Sequence, residues 1–103
     1  DDMLNVKGIN VFPNGISQVI EKMVPDLNGE FQIVLDHPSP YTSLNITAEY
    51  GAGIDPDQKD AIARKLERKI KAALFFTAMI NLVAPQSIQR TEMGKAVRVL
   101  RRY

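Results

Sequence analysis

The chain has 103 residues, of which 45% are hydrophobic and 24% charged, and its formal net charge is +1. These values predict one soluble globular domain and exclude a disordered tail or a polycation, so nucleic acid is not an expected partner. The absence of cysteine excludes a disulfide framework and a thiolate metal site. The longest apolar run, residues 72–80, is about half of a membrane span. We therefore expect a cytoplasmic domain without membrane contact.

The first elements are two short extended runs followed by a helix. Leu4–Lys7 and Ile9–Phe12 flank Gly8, which predicts a hairpin or a bulged strand. Pro13 suits the first turn of a helix, and apolar residues then recur at helical spacing until Pro25. The amino-terminal part therefore predicts a hairpin and one helix.

The middle of the chain predicts two strands joined by a rigid turn. The strands are Phe31–Asp36, which is apolar, and Leu44–Tyr50, in which apolar and polar residues alternate. His37 lies in the turn and is the only histidine. Without a cysteine or a second histidine beside it, we interpret it as a loop residue and not as a metal ligand.

A second helix is the best-marked element of the sequence. Asp55 can cap it, Pro56 suits its first position, and Gln58 completes a capping box. Apolar residues then recur every four positions, and charges of both signs occupy the remaining positions. This pattern predicts an amphipathic helix of about eighteen residues with a solvated outer face, in preference to a nucleic-acid-binding face.

One further strand, Met79–Val83, follows the helix, and residues 96–100 can add a last one. The order strand, helix, strand, strand, helix, strand predicts a ferredoxin-like βαββαβ fold of the α+β class. We expect a three- or four-stranded sheet with both helices on one face, plus the amino-terminal hairpin. The strand order and the end of the long helix near Phe75-Phe76 remain open.

A lysine directly after a glycine is the main candidate for chemistry. Gly94 permits a sharp turn, so the Lys95 ammonium can be presented at a loop tip, which suits an anionic ligand. On its own, a Gly-Lys pair is more often a solvated turn. Four arginines make this part of the chain locally cationic: Arg90, Arg98, Arg101 and Arg102.

Two motifs at opposite ends of the chain carry a family resemblance. Residues 1–4 read Asp-Asp-Met-Leu and lead into the Gly-Ile-Asn-Val-Phe-Pro run at 8–13, and residues 90–99 read Arg-Thr-Glu-Met-Gly-Lys-Ala-Val-Arg-Val. Together they resemble the carboxy-terminal domain of the adenylate-forming acyl-CoA ligases, most closely the phenylacetate-CoA ligases. The resemblance runs from the first residue almost to the last. This chain departs from the family pattern at Gly15, where a longer polar side chain is usual, and at Phe75-Phe76, where glycine is common.

The resemblance implies an ATP-dependent ligase that forms an acyl-adenylate and pyrophosphate, and then the acyl-CoA and AMP. It also implies that residues 1–103 are the mobile domain, which rotates between the two steps. The implied site residues are Lys95 for adenylation, Asp1 as the hinge, and Lys7, Gly8 and Ile9 along the CoA pantetheine channel. Arg98 and Arg101 are candidates for contact with a CoA phosphate, although a solvated surface position is the more common role of such arginines.

The expected partner is a large amino-terminal adenylation domain of the same protein. The full enzyme would use an aryl acid, ATP, CoA and Mg²⁺, and a homodimer of it is left open. The domain alone would be inactive and would bind no cofactor. The alternative is a free-standing, ACT-like ferredoxin fold that binds a small regulatory molecule and dimerises. Neither a catalytic triad nor a metal-ligand set is predicted from these residues.

Overall fold

The computed structural model describes residues 3–91, 94 and 98–103. These residues form a two-stranded hairpin, a four-stranded mixed sheet and two α-helices, one of which is preceded by a 3₁₀ turn. In chain order the elements are β1 (Leu4–Val6), β2 (Ile9–Val11), α1 (Pro13–Glu21), β3 (Leu27–Leu35), β4 (Leu44–Tyr50), the 3₁₀ turn (Pro56–Gln58), α2 (Lys59–Leu74), β5 (Ala78–Val83) and β6 (Val99–Arg101).

The predicted amino-terminal hairpin is present. β1 and β2 pair antiparallel, and Val6 lies opposite Ile9, so Lys7 and Gly8 form a two-residue turn. Both turn residues have positive φ, +50° and +85°, as a type I′ turn requires. The amide of Lys7 donates to the carbonyl of Tyr41 over 3.0 Å, which fastens the hairpin to the rest of the domain.

Helix α1 begins at Pro13, as predicted, but ends at Glu21. The apolar periodicity continues past the end of the helix because Met23, in the turn that follows α1, is also buried in the core. The helix can start at a proline because the first amide of a helix has no partner within it, and the φ of proline is already close to the helical value.

The four strands of the large sheet are ordered β5-β4-β3-β6. β3 and β4 are antiparallel, whereas β4–β5 and β3–β6 are parallel pairs. The predicted α+β class is confirmed. The amino-terminal strands form a separate hairpin, and the fourth position in the sheet is taken by β6 from the other end of the chain.

Both helices cover the same face of this sheet. α1 packs on β3, α2 packs on β5, and the two helices contact each other. Alternation along β4 sends Leu44, Ile46 and Ala48 into the core, and it sends Asn45, Thr47 and Glu49 towards the other face. Among the described residues, no helix covers that other face.

The structure contains the predicted capping box and shows where the long helix ends. The Asp55 side chain accepts from the Asp57 amide at 3.0 Å, and Gln58 Oε1 accepts from the Asp55 amide at 3.2 Å. The helix ends where Phe75 adopts the left-handed conformation, with φ +66° and ψ +23°. Phe75 is 68% exposed, whereas Phe76 is 2% exposed and belongs to the core.

The connection from β5 to β6 determines where the lysine segment lies. β5 and β6 are the two opposite edges of the sheet, and the described part of the connection between them folds over β4, where Gln86, Ile88 and Arg90 contact Glu49. Ile88 is buried along this path. The described residues on either side of Lys95 therefore belong to the connection between the two edge strands.

Candidate functional site

Glu49 is the one charged residue among the buried side chains of the described chain. It belongs to β4 and points away from the helix-covered core, since its neighbours Ala48 and Tyr50 pack into that core. Its exposure is nevertheless 0% because the chain from Gln86 to Arg90 folds over it. The polar centre of this face is thus enclosed by the crossing connection.

The Glu49 carboxylate is satisfied by N–H donors alone. Its Oε1 accepts from Asn28 Nδ2 at 2.8 Å, from the Gln86 amide at 2.9 Å and from Arg90 Nη2 at 2.7 Å. Its Oε2 accepts from the Ile88 amide at 2.9 Å and from Arg90 Nη1 at 2.6 Å. The guanidinium therefore binds the carboxylate with two parallel hydrogen bonds, the strongest and most directional form of this pair.

These contacts fix the charge of Glu49. Burial raises its pKa, but the hydrogen bonds from Arg90, Asn28 and the amides of Ile88 and Gln86 together outweigh burial and lower the pKa of Glu49 to about 2. The pKa of Arg90 is raised, chiefly by the same hydrogen bond. At neutral pH the pair is a carboxylate and a guanidinium.

A turn comes directly after this ion pair. The Gly94 amide donates to the Thr91 carbonyl over 2.9 Å, and Gly94 has φ +82°, a conformation that favours glycine. Lys95 itself lies outside the described residues, and so does Asp1. The structure therefore describes the approach to the lysine, and the roles of Lys95 and Asp1 stay predictions.

Arg98 anchors the other side of the lysine segment. Its Nη1 donates to the Phe31 carbonyl at 3.0 Å, and its Cζ lies 4.4 Å from the centre of the Phe31 ring. The same nitrogen is 3.6 Å from Glu30 Oε2. These contacts favour a structural role for Arg98. The predicted contact with a phosphate stays a prediction.

The expected cationic patch is smaller than the sequence indicated. The charges of Arg90 and Arg98 are matched by ion pairs with Glu49 and Glu30 inside the domain. A local count of charges cannot find these acids because they lie on strands distant in sequence. Arg101 is on the edge strand β6, and its contact with a phosphate stays a prediction.

The three residues predicted for the pantetheine channel lie together at the hairpin tip. Lys7, Gly8 and Ile9 are all exposed. A Cβ atom added at Gly8 would have no neighbour within 4 Å, so this side of the turn is open to an approaching molecule. The grouping is compatible with the prediction and does not test it.

The remaining candidates carry no site. His37 Nδ1 is 2.8 Å from the Pro38 carbonyl and its ring packs near Tyr41, as suits a turn residue. Within the described part of the chain, no group of three His, Cys, Asp or Glu side chains is arranged to hold a metal ion. The helices of that part include none that is both long and apolar enough to cross a membrane.

Sequence reasoning missed Glu49. In β4 it occupies an outward position of an alternating strand, where a solvated acid is the ordinary interpretation. Its partner Arg90 is 41 positions further along the chain. Only the crossing of the connection over β4 brings the two together, and no local signal marks this.

Relatives of known name match nearly the whole chain. The phenylacetate-coenzyme A ligase of Aromatoleum evansii is 32% identical over 99% of this chain. The enzyme of the same name from Escherichia coli K12 is 29% identical over 96% of it. The chain spans about a quarter of these relatives, 24% and 23% of their lengths.

Solved structures share the fold. A 2-hydroxyisobutyryl-CoA ligase in the postadenylation state, in complex with an acyl-AMP, matches with a TM-score of 0.85 and 28% identity. The match covers 98% of this chain and 22% of that one. In the thioesterification state, with 2-HIB-AMP and CoA, the same ligase matches with a TM-score of 0.79 and 26% identity, over 99% and 22% of the two chains.

A separate domain of similar extent has also been solved. The domain of phenylacetate-coenzyme A ligase from Bacteroides vulgatus has a TM-score of 0.76 and is 23% identical, and the match covers 98% of this chain and 94% of that one. A fold of this size therefore exists as an independent unit.

The sequence model of the AMP-binding enzyme C-terminal domain matches residues 8–102, and the chain accordingly belongs to the family of AMP-binding enzyme C-terminal domains.

Proposed function

We propose that this chain is the mobile carboxy-terminal domain of an ATP-dependent acid-CoA ligase. The observation that carries the proposal is the match of residues 8–102 to the AMP-binding enzyme C-terminal domain. The described residues on either side of the Gly-Lys motif are fixed to the sheet, since Arg90 binds Glu49 and Arg98 binds the Phe31 carbonyl. Family membership supports it, and so do the names of the relatives. The family match also argues against a free-standing regulatory module, because the matched family consists of enzyme domains.

The proposed acid is phenylacetate or a related aryl acid. This substrate class comes from the names of the relatives, since the acid, ATP and CoA would bind mainly to a larger domain that this chain does not contain. The large domain is the proposed partner. A homodimer of the full enzyme stays open.

Mg²⁺ would enter with ATP. This ion prefers carboxylates together with substrate phosphates. The described residues provide no cluster of three metal-ligating side chains, so they do not fit a resident Mg²⁺ site.

In the first half-reaction, a substrate carboxylate oxygen attacks the α-phosphate of ATP. A new O–P bond forms, the bond to the bridging oxygen breaks, and pyrophosphate leaves. A protonated lysine near the carboxylate and phosphate oxygens lowers the repulsion between two anions and stabilises charge in the transition state. Two unit charges about 4 Å apart interact by roughly 4 kcal/mol near a protein surface. Lys95 is proposed for this role.

The turn before Lys95 supports its presentation. Gly94 has a left-handed φ, and the hydrogen bond between Gly94 and Thr91 closes the turn. A side chain placed after such a turn can reach beyond the surface of the sheet. Closure against the large domain would then exclude water and strengthen the interaction.

In the second half-reaction, the CoA thiolate attacks the acyl carbon and AMP leaves. We propose that the domain rotates about Asp1 between the steps, which withdraws Lys95 and presents Lys7, Gly8 and Ile9 to the pantetheine arm. The exposed type I′ turn supports this assignment because its backbone can approach a narrow chain closely. Arg101 is kept as a candidate contact for a CoA phosphate.

The test uses the full-length enzyme with Lys95→Ala. We expect pyrophosphate release from phenylacetate and ATP to fall about 100- to 1000-fold, the range for loss of one preorganised charge-stabilising group. Acyl-CoA formation from preformed acyl-adenylate should persist. Lys65→Ala removes an exposed lysine of α2 and serves as the matched control. Unchanged pyrophosphate release in the Lys95 variant would refute the proposed role.

A further inference from the structure

The ion pair between the buried Glu49 and the half-buried Arg90 comes directly before the Gly-Lys motif in the chain. Glu49 is fixed in the middle of the sheet, since β4 is hydrogen-bonded to β3 on one side and to β5 on the other. Arg90 joins it through two hydrogen bonds of 2.6 and 2.7 Å. Arg90 is thereby tied to a central strand of the sheet.

We propose that Glu49 and Arg90 are a positioning pair, which holds the start of the Lys95 segment against β4 in the geometry that adenylation requires. The inference rests on the proposed function and deepens it, because it assigns the placement of Lys95 to two residues that do not touch the substrate. Glu49 is buried, and its carboxylate oxygens are occupied by donors within the domain.

The chemistry of the site requires a carboxylate. Each group around Glu49 is an N–H donor, so both of its oxygens must accept. A glutamine would turn one acceptor into a donor, and that amide would face N–H groups of Arg90 and of the backbone. The directions of these bonds, and not only the charge, therefore fix the backbone from Gln86 to Ile88.

Stability alone does not account for the pair. A buried ion pair contributes little more than apolar side chains of similar volume because removing two charges from water offsets their attraction. What the forked pair adds is a defined direction and register for the connecting chain. This favours a role in placing the next part of the chain, namely the Thr91–Gly94 turn and Lys95.

The second anchor makes the placement two-sided. Arg98 binds the Phe31 carbonyl and lies over the Phe31 ring on β3. The segment between Arg90 and Arg98 is thus held at both ends by neighbouring strands of one sheet. A displacement of about 1 Å in a group that contacts reacting atoms can cost about 100-fold in rate.

The experiment measures both half-reactions in the full-length enzyme carrying Glu49→Gln or Arg90→Lys. Lysine keeps the charge but cannot form the two parallel hydrogen bonds. We expect adenylation to fall about 100-fold in the first variant and about tenfold in the second. Thioester formation from preformed acyl-adenylate should stay within about twofold, since it does not use Lys95. The matched controls are Glu21→Gln and Arg68→Lys, which alter exposed helical residues.

A double variant separates positioning from a general loss of structure. If Glu49 acts through Lys95, then Glu49→Gln combined with Lys95→Ala should adenylate no more slowly than Lys95→Ala alone. If the double variant instead loses adenylation activity by the product of the two single-variant losses, the proposal is overturned. Equal loss of both half-reactions in the two single variants, or no loss in either, would overturn it as well.

The same assays distinguish this inference from the proposed function. If Lys95→Ala leaves adenylation intact, the proposed function itself fails. If Lys95→Ala abolishes adenylation whereas Glu49→Gln and Arg90→Lys do not affect it, only the positioning pair fails.

Discussion

At the scale of single residues, the burial of Glu49 has a measurable consequence. Its carboxylate is held charged by N–H donors, and its pKa lies at about 2 instead of the ordinary 4.5. A carboxyl group whose pKa is lower in the folded state stabilises the fold above its unfolded pKa. That contribution is complete above about pH 4.5 and is lost as the pH falls towards 2.

We therefore predict an acid-sensitive stability that depends on this residue. The free energy of unfolding of the 103-residue chain should fall by about 3 kcal/mol more between pH 5 and pH 2 than that of Glu49→Gln. Urea unfolding monitored by circular dichroism at a series of pH values measures this difference. Parallel pH curves for the two proteins would show that Glu49 is not the group responsible.

The same substitution should also destabilise the chain at neutral pH. Glu49→Gln leaves the half-buried Arg90 guanidinium without its counter-charge and places an amide among N–H donors, and breaking a pair with one fully buried partner costs about 2–3 kcal/mol. Glu21→Gln, at an exposed position of α1, should change the free energy of unfolding by less than about 0.5 kcal/mol. Similar effects of the two substitutions would mean that the buried pair is not formed.

At the scale of elements, the end of α2 is strained. Phe75 occupies the left-handed conformation, which is unfavourable for residues with a Cβ atom, and the residue is 68% exposed. The helix needs this conformation for its C-cap, and glycine adopts it without cost. Because the Phe75 side chain is mostly exposed, it buries little apolar surface that could offset this strain.

Phe75→Gly should therefore stabilise the isolated chain by about 1 kcal/mol. Thermal or urea unfolding measures it directly. The adjacent Phe76→Ala is the matched control, since Phe76 is buried and its truncation should cost about 3–5 kcal/mol. A loss of stability in Phe75→Gly would mean that the exposed ring makes contacts that outweigh the strain.

The elements differ in how far the sequence predicts them. The alternation in β4 is unbroken and predicts its observed bounds, and the capping box locates α2. β3 begins at Leu27, four residues before the predicted start at Phe31. The prediction missed these residues because Gly29 has φ +96° and the pairing with β4 shifts register between Leu27 and Phe31. Such an irregularity interrupts the pattern that marks a strand.

At the scale of the whole molecule, the two ends of the chain supply the two predicted contact regions. The hairpin tip contributes Lys7 and Gly8, and the connection that crosses the sheet leads to Lys95. The family motifs predict both regions from sequence. The Glu49–Arg90 pair was not predictable, because it depends on β6 taking the far edge of the sheet and on the connection passing over β4.

A second substitution tests the other end of the chain. Gly8→Asn keeps the left-handed turn, since asparagine tolerates positive φ, and it adds a side chain on the open side of the tip. If the tip meets the pantetheine arm, thioester formation should fall about tenfold or more while adenylation is unchanged.

The measurement that tests the central claim most directly is the ratio of the two half-reaction rates in the full-length enzyme, determined for Lys95→Ala and Gly8→Asn side by side. We predict opposite changes: Lys95→Ala lowers adenylation relative to thioester formation, and Gly8→Asn lowers thioester formation relative to adenylation. A ratio that shifts in the same direction for both variants, or in neither, would contradict a domain that presents different ends to the two steps.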